Sequence, residues 1–404
     1  MTISDLIFYS RASAEADWNC NRARFNQYNH SGGGIQKNNL TLELFFGTVL
    51  HDALAGIASQ HSLMGEVDID KIASEAAAFF KTTLTDYYTK GEGELPQTSP
   101  NWLLVMEQST LIEAMIRGFY KQHWPTLIAQ YPVVVGYEKE TIYPHDFSGK
   151  LNKKGPFVYK AKPDLMLAED QTSPLVYVEH KSTSTKKQEW IESWNYAMQV
   201  HGSAKAIEFT LDREVLGTII NGMYKGSTMY GKFSSDLVYC YVTKGNPPFN
   251  KQVILPGYKA GAKKTPVWEL QGGVKGYING LSSELLSEQF PQTPLIFTNE
   301  SMAEDFFRQR ALREWGVRHA VSILENEAEE APEKLRIMDQ HFPQSFSKCS
   351  PSFGRACDFL GLCHGPQSVK DDPVGSGKFA LRDREHQHGF RDVAKQLMEG
   401  VEKE

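Results

Sequence analysis

The sequence predicts an α/β fold, a central mixed β-sheet flanked by helices with a helical N-terminal region, and three observations carry that expectation. Residues 40–59 repeat apolar side chains at helical spacing, among them Phe45, Phe46, Val49, Leu50, Ala53, Leu54 and Ile57. From residue 133 the composition turns to Val, Tyr and Phe, and 133–143, 157–168 and 175–183 read as strands. A helical stretch, 186–208, then separates these strands from two more at 215–224 and 236–243.

The other elements follow the same logic. Helices are predicted over 68–90 and 101–128, with Gly91, Gly93, Pro96 and Pro100 punctuating the gap. Residues 245–300, rich in Gly, Pro and Lys, read as loops with a short strand or two, and a long helix follows over 302–329. The polar segment 366–404 reads as a mobile tail behind a single domain spanning 1–365. Within that domain, 40–128 is the helical region and 133–243 the core.

A formal net charge of −6 argues against an evenly basic coat. A local patch remains: between Lys150 and Lys187 stand eight lysines against the acids Asp164, Glu169, Asp170 and Glu179. Such a patch can hold phosphates, although a lysine run is also an ordinary solvated surface. No run of eighteen apolar residues and no basic-then-apolar leader is present, so neither a membrane span nor a secretory signal is expected, and a cytoplasmic location is. The segments 257–265 and 375–379 lack Walker A spacing, so ATP hydrolysis is not expected.

Asp164 is expected in a strand, and Glu179 and Lys181 share one face of the next, because strand side chains alternate. The turn-forming run 169–174 would fold these strands into a hairpin and set Asp164 beside Glu179. Two carboxylates suit Mg2+ or Mn2+, a bound metal lowers the pKa of its water, and a neighbouring lysine can orient that water or pair with phosphate. An exposed ion pair between Glu179 and Lys181 is the plainer alternative. Glu138 and Glu140 read as one face of the preceding strand, with Glu140 a further acidic candidate.

Pro163-Asp164 followed by Glu179-x-Lys181 resembles the motif of the PD-(D/E)XK nuclease superfamily, and 175–183 resembles the motif strand of its RecB-like and lambda-exonuclease-like members. Gly47-x3-His51 resembles the RecB-like helical motif, in which the His is a metal ligand and the Gly leaves room for its ring. Gln199 matches the start of the Q-x3-Y motif, but Ser203 stands where the Tyr is expected, leaving Tyr196 or His201 as substitutes. The resemblance implies a restriction-endonuclease-like core and a metal-dependent deoxyribonuclease. Asp164, Glu179 and His51 would be metal ligands, with Lys181 and Gln199 in the catalytic group. It also implies DNA strands or ends as substrate in recombination, repair or phage DNA processing, beside a helicase, recombinase or single-strand-binding partner. A site-specific endonuclease and a non-cleaving DNA-binding module are the alternatives.

Five cysteines are present, and Cys349, Cys357 and Cys363 crowd into one short segment. With Cys20 near the N-terminus they resemble the iron–sulfur nucleases related to AddB and to CRISPR-associated RecB-like enzymes, which implies a [4Fe–4S] cluster held by the four thiolates, with Zn2+ as the alternative. Cys240, in an apolar strand, reads as a buried hydrophobe, and Trp190 and Trp194 as core.

Overall fold

The computed structural model describes residues 6–30, 34–38, 41–184, 187–229, 232–244, 252–255, 262–326, 331–349, 357–382 and 385–399. The chain folds as a mixed α/β protein with several small sheets and no closed barrel among the described residues.

One sheet joins β1 (Ile7–Ser10), β5 (Phe157–Ala161) and β4 (Thr141–His145) in that order, with β1 parallel to β5. A four-stranded sheet runs β3 (Val133–Tyr137), β6 (Leu165–Ala168), β7 (Leu175–Thr183), β8 (Val215–Tyr224). Its first three strands are antiparallel, and β8 is parallel to β7. The parallel pair needs a long crossover, supplied largely by the helix Met198–Leu211. A short ribbon pairs β2 (Ile35–Lys37) with β14 (Phe379–Leu381), and another pairs β9 (Ser227–Met229) with β10 (Lys232–Ser234). A second three-stranded sheet centres β11 (Tyr239–Lys244) between β12 (Gln252–Leu255) and β13 (Lys263–Pro266).

The strand alternation of the four-stranded sheet sends its two faces to different partners. Leu165, Leu167, Val176, Val178 and Ile219 join a core built by the helices Leu42–Met64, Ile69–Thr89 and Pro100–Gln122. Met166, Tyr177 and Val215 pack instead on Ala204 and Ile207 of the crossover helix. The long helix Leu42–Met64 stops at Gly65, whose φ of 73° closes the left-handed cap. Asp68 caps the next helix by accepting the Lys71 N–H at 3.0 Å, and Ser99 with Pro100 opens the third.

Leu42–Met64 is also the one described helix long and apolar enough to cross a membrane. It buries Phe46, Val49, Leu50, Leu54 and Ile57 in the core.

Three expectations need correction. Residues 133–143 and 157–168 are not single strands: each bends from one sheet to another, between the four-stranded sheet and the β1–β5–β4 sheet, so Asp164 lies at a bend just before β6. The 245–300 region holds two helices, Gly273–Gly280 and Ser283–Gln289. The C-terminal segment is folded where it is described: Phe379–Leu381 pairs with β2, and the helix Glu385–Glu399 packs Phe390, Val393, Ala394 and Leu397 on Ile142 and Val158. Its polar composition hid a narrow apolar stripe at helical spacing. Cys240 and Trp190 are buried, and Trp190 meets Trp194 edge to face.

Candidate functional site at the bend between two sheets

The site forms where an antiparallel ribbon leaves one sheet for the other. One arm of the ribbon bends at Glu138, the other at Lys162-Pro163-Asp164. The bends touch: Glu138 takes a left-handed φ of 47°, and its N–H donates to the Asp164 carbonyl at 3.2 Å. Non-glycine residues rarely adopt that conformation, and here it turns the Glu138 side chain toward the helix Leu42–Met64. His51, on that helix, places Nδ1 3.0 Å from Asp164 Oδ1 and 3.9 Å from Glu138 Oε1. Ligand atoms of His51, Glu138 and Asp164 all lie within 4.8 Å of one another. No other described group of three or more His, Cys, Asp or Glu is that tight.

The register sets the second carboxylate beside the first. Leu165 pairs with Val178, so the next pair down the ladder is Asp164 with Glu179. The His180 N–H, one residue on, donates to Asp164 Oδ2 at 2.6 Å. Glu179 itself is held by three donors: the Tyr177 hydroxyl, the Gln199 amide and Lys181. Tyr177 and Lys181 share its strand face, and Gln199 reaches it from the crossover helix, whose carboxamide oxygen accepts in turn from Arg11. His180 points to the opposite face, edge-on to Phe119, and burial drives its pKa down to about 3.

The charges are strongly coupled. Burial alone would raise the Asp164 carboxyl, but His51 and then Lys181 outweigh it and hold it well below the carboxylate range. Burial, then Asp164, push Glu179 up to about 7 against the pull of Lys181. Burial opposes protonation of His51 and Lys181, yet the carboxylates raise both. The site is thus two buried acids, Asp164 stabilised by the His51 imidazole and Glu179 by Lys181, with Glu138 near the same imidazole nitrogen, an arrangement in which a divalent cation can take the place of the imidazole proton. Two carboxylates and one imidazole are a donor set that suits Mg2+ or Mn2+.

The structure brings Asp164, Glu179, Lys181, Gln199 and His51 together from four elements. Glu179 stands outside the tight His51–Glu138–Asp164 group, and the acid that completes that group is Glu138, not Glu140. Strand alternation places both glutamates on one face, but the left-handed bend removes Glu138 from any strand. Gly47 is not needed to seat the His51 ring, because a Cβ built there meets nothing within 4 Å. Neither proposed substitute for the absent Tyr is bonded to Glu179: Tyr196 is 76 % exposed, and His201 is tied to the Asn195 carbonyl and the Asn299 N–H. Tyr177 supplies a hydroxyl to Glu179 instead, two residues back on the same face, a relation the period of the strand already contained. Arg11 carried no local signal.

Cys20, Cys349, Cys357 and Cys363 lie in one neighbourhood. The Cys357 N–H donates to the Cys349 carbonyl at 3.1 Å, and Cys20 Sγ accepts the Ser345 N–H at 3.4 Å. Burial pushes the Cys363 thiol up to about 11, with Cys357, Cys20 and Cys349 adding to the rise, and Cys349 and Cys357 each sense Cys20 as well. Their ligand atoms do not form a group as tight as 4.8 Å.

The chain matches no family model and no curated protein.

Proposed function

We propose that this protein is a metal-dependent deoxyribonuclease of the RecB-like PD-(D/E)XK kind. The observation that carries the reading is the convergence of His51 and Gln199, from two separate helices, on the hairpin residues Asp164, Glu179 and Lys181. The four-stranded sheet would be the restriction-endonuclease-like core, with the N-terminal helices on one face and the crossover helix on the other.

His51, Glu138 and Asp164 would hold Mg2+ or Mn2+, which supplies an acidified water and charge stabilisation at the phosphate. Lys181 donates to the attacking oxygen or to a phosphate oxygen, and Glu179 fixes the ammonium group in place. Gln199 and Tyr177 hold Glu179 in turn. The four cysteines would hold a [4Fe–4S] cluster rather than zinc. A single tetrahedral zinc, about 2.3 Å from each sulfur, needs its sulfurs about 3.8 Å apart, tighter than the grouping seen here. DNA strands or ends in the cytoplasm are the proposed substrate, with a helicase, recombinase or single-strand-binding protein as partner.

Cleavage of end-labelled single- and double-stranded DNA with Mg2+ or Mn2+ tests the reading. Wild type should cut, and Lys181→Ala should lose at least about 100-fold with its fold intact. Discrete fragments would favour an endonuclease. Binding without cleavage by folded wild type would overturn the enzyme reading in favour of a non-cleaving module.

A further inference from the structure

A second site stands next to the first. A pocket of about 470 Å3 opens between β1, the end of β5, the helices Asn21–Tyr28 and Glu300–Asn326, and the C-terminal helix. Six cationic side chains line it: Arg24, Lys160, Lys162, Arg318, Arg382 and Arg391. The one acid in the lining, Glu314, is already bonded to Arg24 and Arg310. Lys162 pairs with Glu138 at 2.8 Å. Lys160, Arg382 and Arg391 form no ion pair among the described residues.

That surplus is felt inside the pocket. Burial, then the charges of Arg382 and Arg391, lower the Lys160 pKa to about 8. The guanidinium of Arg24, 4 % exposed, is paired with Glu314 and lies 4.0 Å from Asp17, while its Nε makes no hydrogen bond. Lys160 and Arg382 are half-buried and have no ion-pair partner among the described residues, and an anion entering from solvent supplies one. Aromatic rings complete the lining: Arg382 stacks 4.6 Å from the Tyr28 ring centre, and Lys160 lies 5.0 Å from that of Phe390. Phosphate beside flat apolar surface is the chemistry of a nucleotide.

We propose that this pocket binds a terminal phosphate and its nucleotide at the end of a nucleic-acid strand. Lys162 is the hinge between the two sites: it lines the pocket, pairs with Glu138, and precedes Asp164 by two residues, no more than about 7 Å of chain. A strand anchored by its end in the pocket therefore presents a nearby phosphodiester to the metal group. Lys160, Arg382 and Arg391, with no ion pair among the described residues, line a pocket of nucleotide size beside a carboxylate group that itself repels phosphate, and so favour a doubly charged terminal phosphate over a singly charged internal one. The choice of strand end rests on the nuclease reading; the phosphate site does not.

The test is binding of the full-length protein, in EDTA so that no cleavage occurs, to one short single strand with a 5′-phosphate, a 3′-phosphate or neither. One phosphorylated form should bind at least about tenfold tighter than the bare strand, and the preferred end identifies the polarity. A mononucleotide bearing that phosphate should compete, whereas its nucleoside should not. The double variant Lys160→Gln, Arg391→Gln should lose the preference and keep the residual affinity for bare DNA. Equal binding of all three strands, with no competition by the mononucleotide, overturns the pocket whether or not the protein cuts DNA. A phosphate preference in a protein that cuts nothing leaves the pocket standing and removes the nuclease reading.

Discussion

Arg11 opens the helix Arg11–Asn19 and donates to the Gln199 carboxamide oxygen while pairing with Glu15. Because a carboxamide can present oxygen or nitrogen, that bond decides that the Gln199 nitrogen faces Glu179. On the proposed nuclease reading Arg11 is a positioning residue, two hydrogen bonds removed from Glu179. Arg11→Ala should lower kcat about tenfold, the worth of one weakened charged hydrogen bond, with KM nearly unchanged and Arg11→Lys recovering part of the loss. An equal loss in thermal stability and in KM would reduce Arg11 to a structural role. The same relay shows what the sequence could convey. Asp164, Glu179 and Lys181 were legible because they fall within one hairpin, where strand period and register fix their relation. Gln199 and His51 were legible through short motifs on single helices. Arg11 and Glu138 were not, because one arrives by tertiary approach of the N-terminal helix and the other depends on a left-handed bend that no residue type announces. Tyr177 lay in plain view at the right period and lacked only a reason to be chosen.

At the level of elements, two helical glycines with the same sequence appearance have opposite roles. A Cβ at Gly47 meets open space, so Gly47→Ala should stabilise the protein by about 0.5–1 kcal/mol through lower backbone entropy in the unfolded chain. A Cβ at Gly118 would lie 2.0 Å from Phe290 Cζ, inside a packed ring, so Gly118→Ala should cost about 1–3 kcal/mol. Denaturant midpoints of the two variants should move in opposite directions. Beside Gly118, His123 joins the helices Pro100–Gln122 and Trp124–Gln130 and donates from Nε2 to the Phe290 carbonyl at 3.0 Å. Burial lowers its pKa to about 4, and that of His145 likewise. Both are depressed below the ordinary value near 6.5, so the unfolded chain binds protons that the folded chain refuses. Their contribution is complete above about pH 6.5 and is lost as pH falls toward 4, by up to about 3 kcal/mol each. Thermal melts from pH 7 to 4.5 should show a shallower fall for His123→Gln than for wild type. Helices of this kind were readable from apolar spacing, but the junction was not. The expected single helix over 101–128 breaks at His123 because Pro125 follows, and what holds the break closed comes from residue 290.

At the scale of the whole molecule, buried ion pairs tie the first helices to elements some three hundred residues later. Asp17 accepts from Arg310 at 3.0 Å and from Arg313 at 2.8 Å, and Glu314 is shared by Arg24 and Arg310, so the N-terminal helices are locked to the helix Glu300–Asn326 by buried charge. Arg22 adds Asp339 and the Phe342 carbonyl, and β2 pairs with β14. This closure was visible in the sequence only as one early and three late cysteines, since ion pairs across some three hundred residues leave no local pattern. The four cysteines lie among these contacts, with Cys363 beside Asn26 and Cys20 at the start of the helix Asn21–Tyr28. The proposed cluster would make metal-binding free energy part of folding free energy, because the unfolded chain offers no preformed site. Protein purified without oxygen should therefore show broad absorption near ~400 nm. Cys20→Ser should remove that band and lower the melting temperature, whereas Cys240→Ser should leave the band untouched, since Cys240 is buried in the helical core against the Thr265 carbonyl. Retention of the full band in Cys20→Ser would exclude Cys20 as a ligand. The same melting loss without any band in wild type would mean that the thiols close the chain by packing alone.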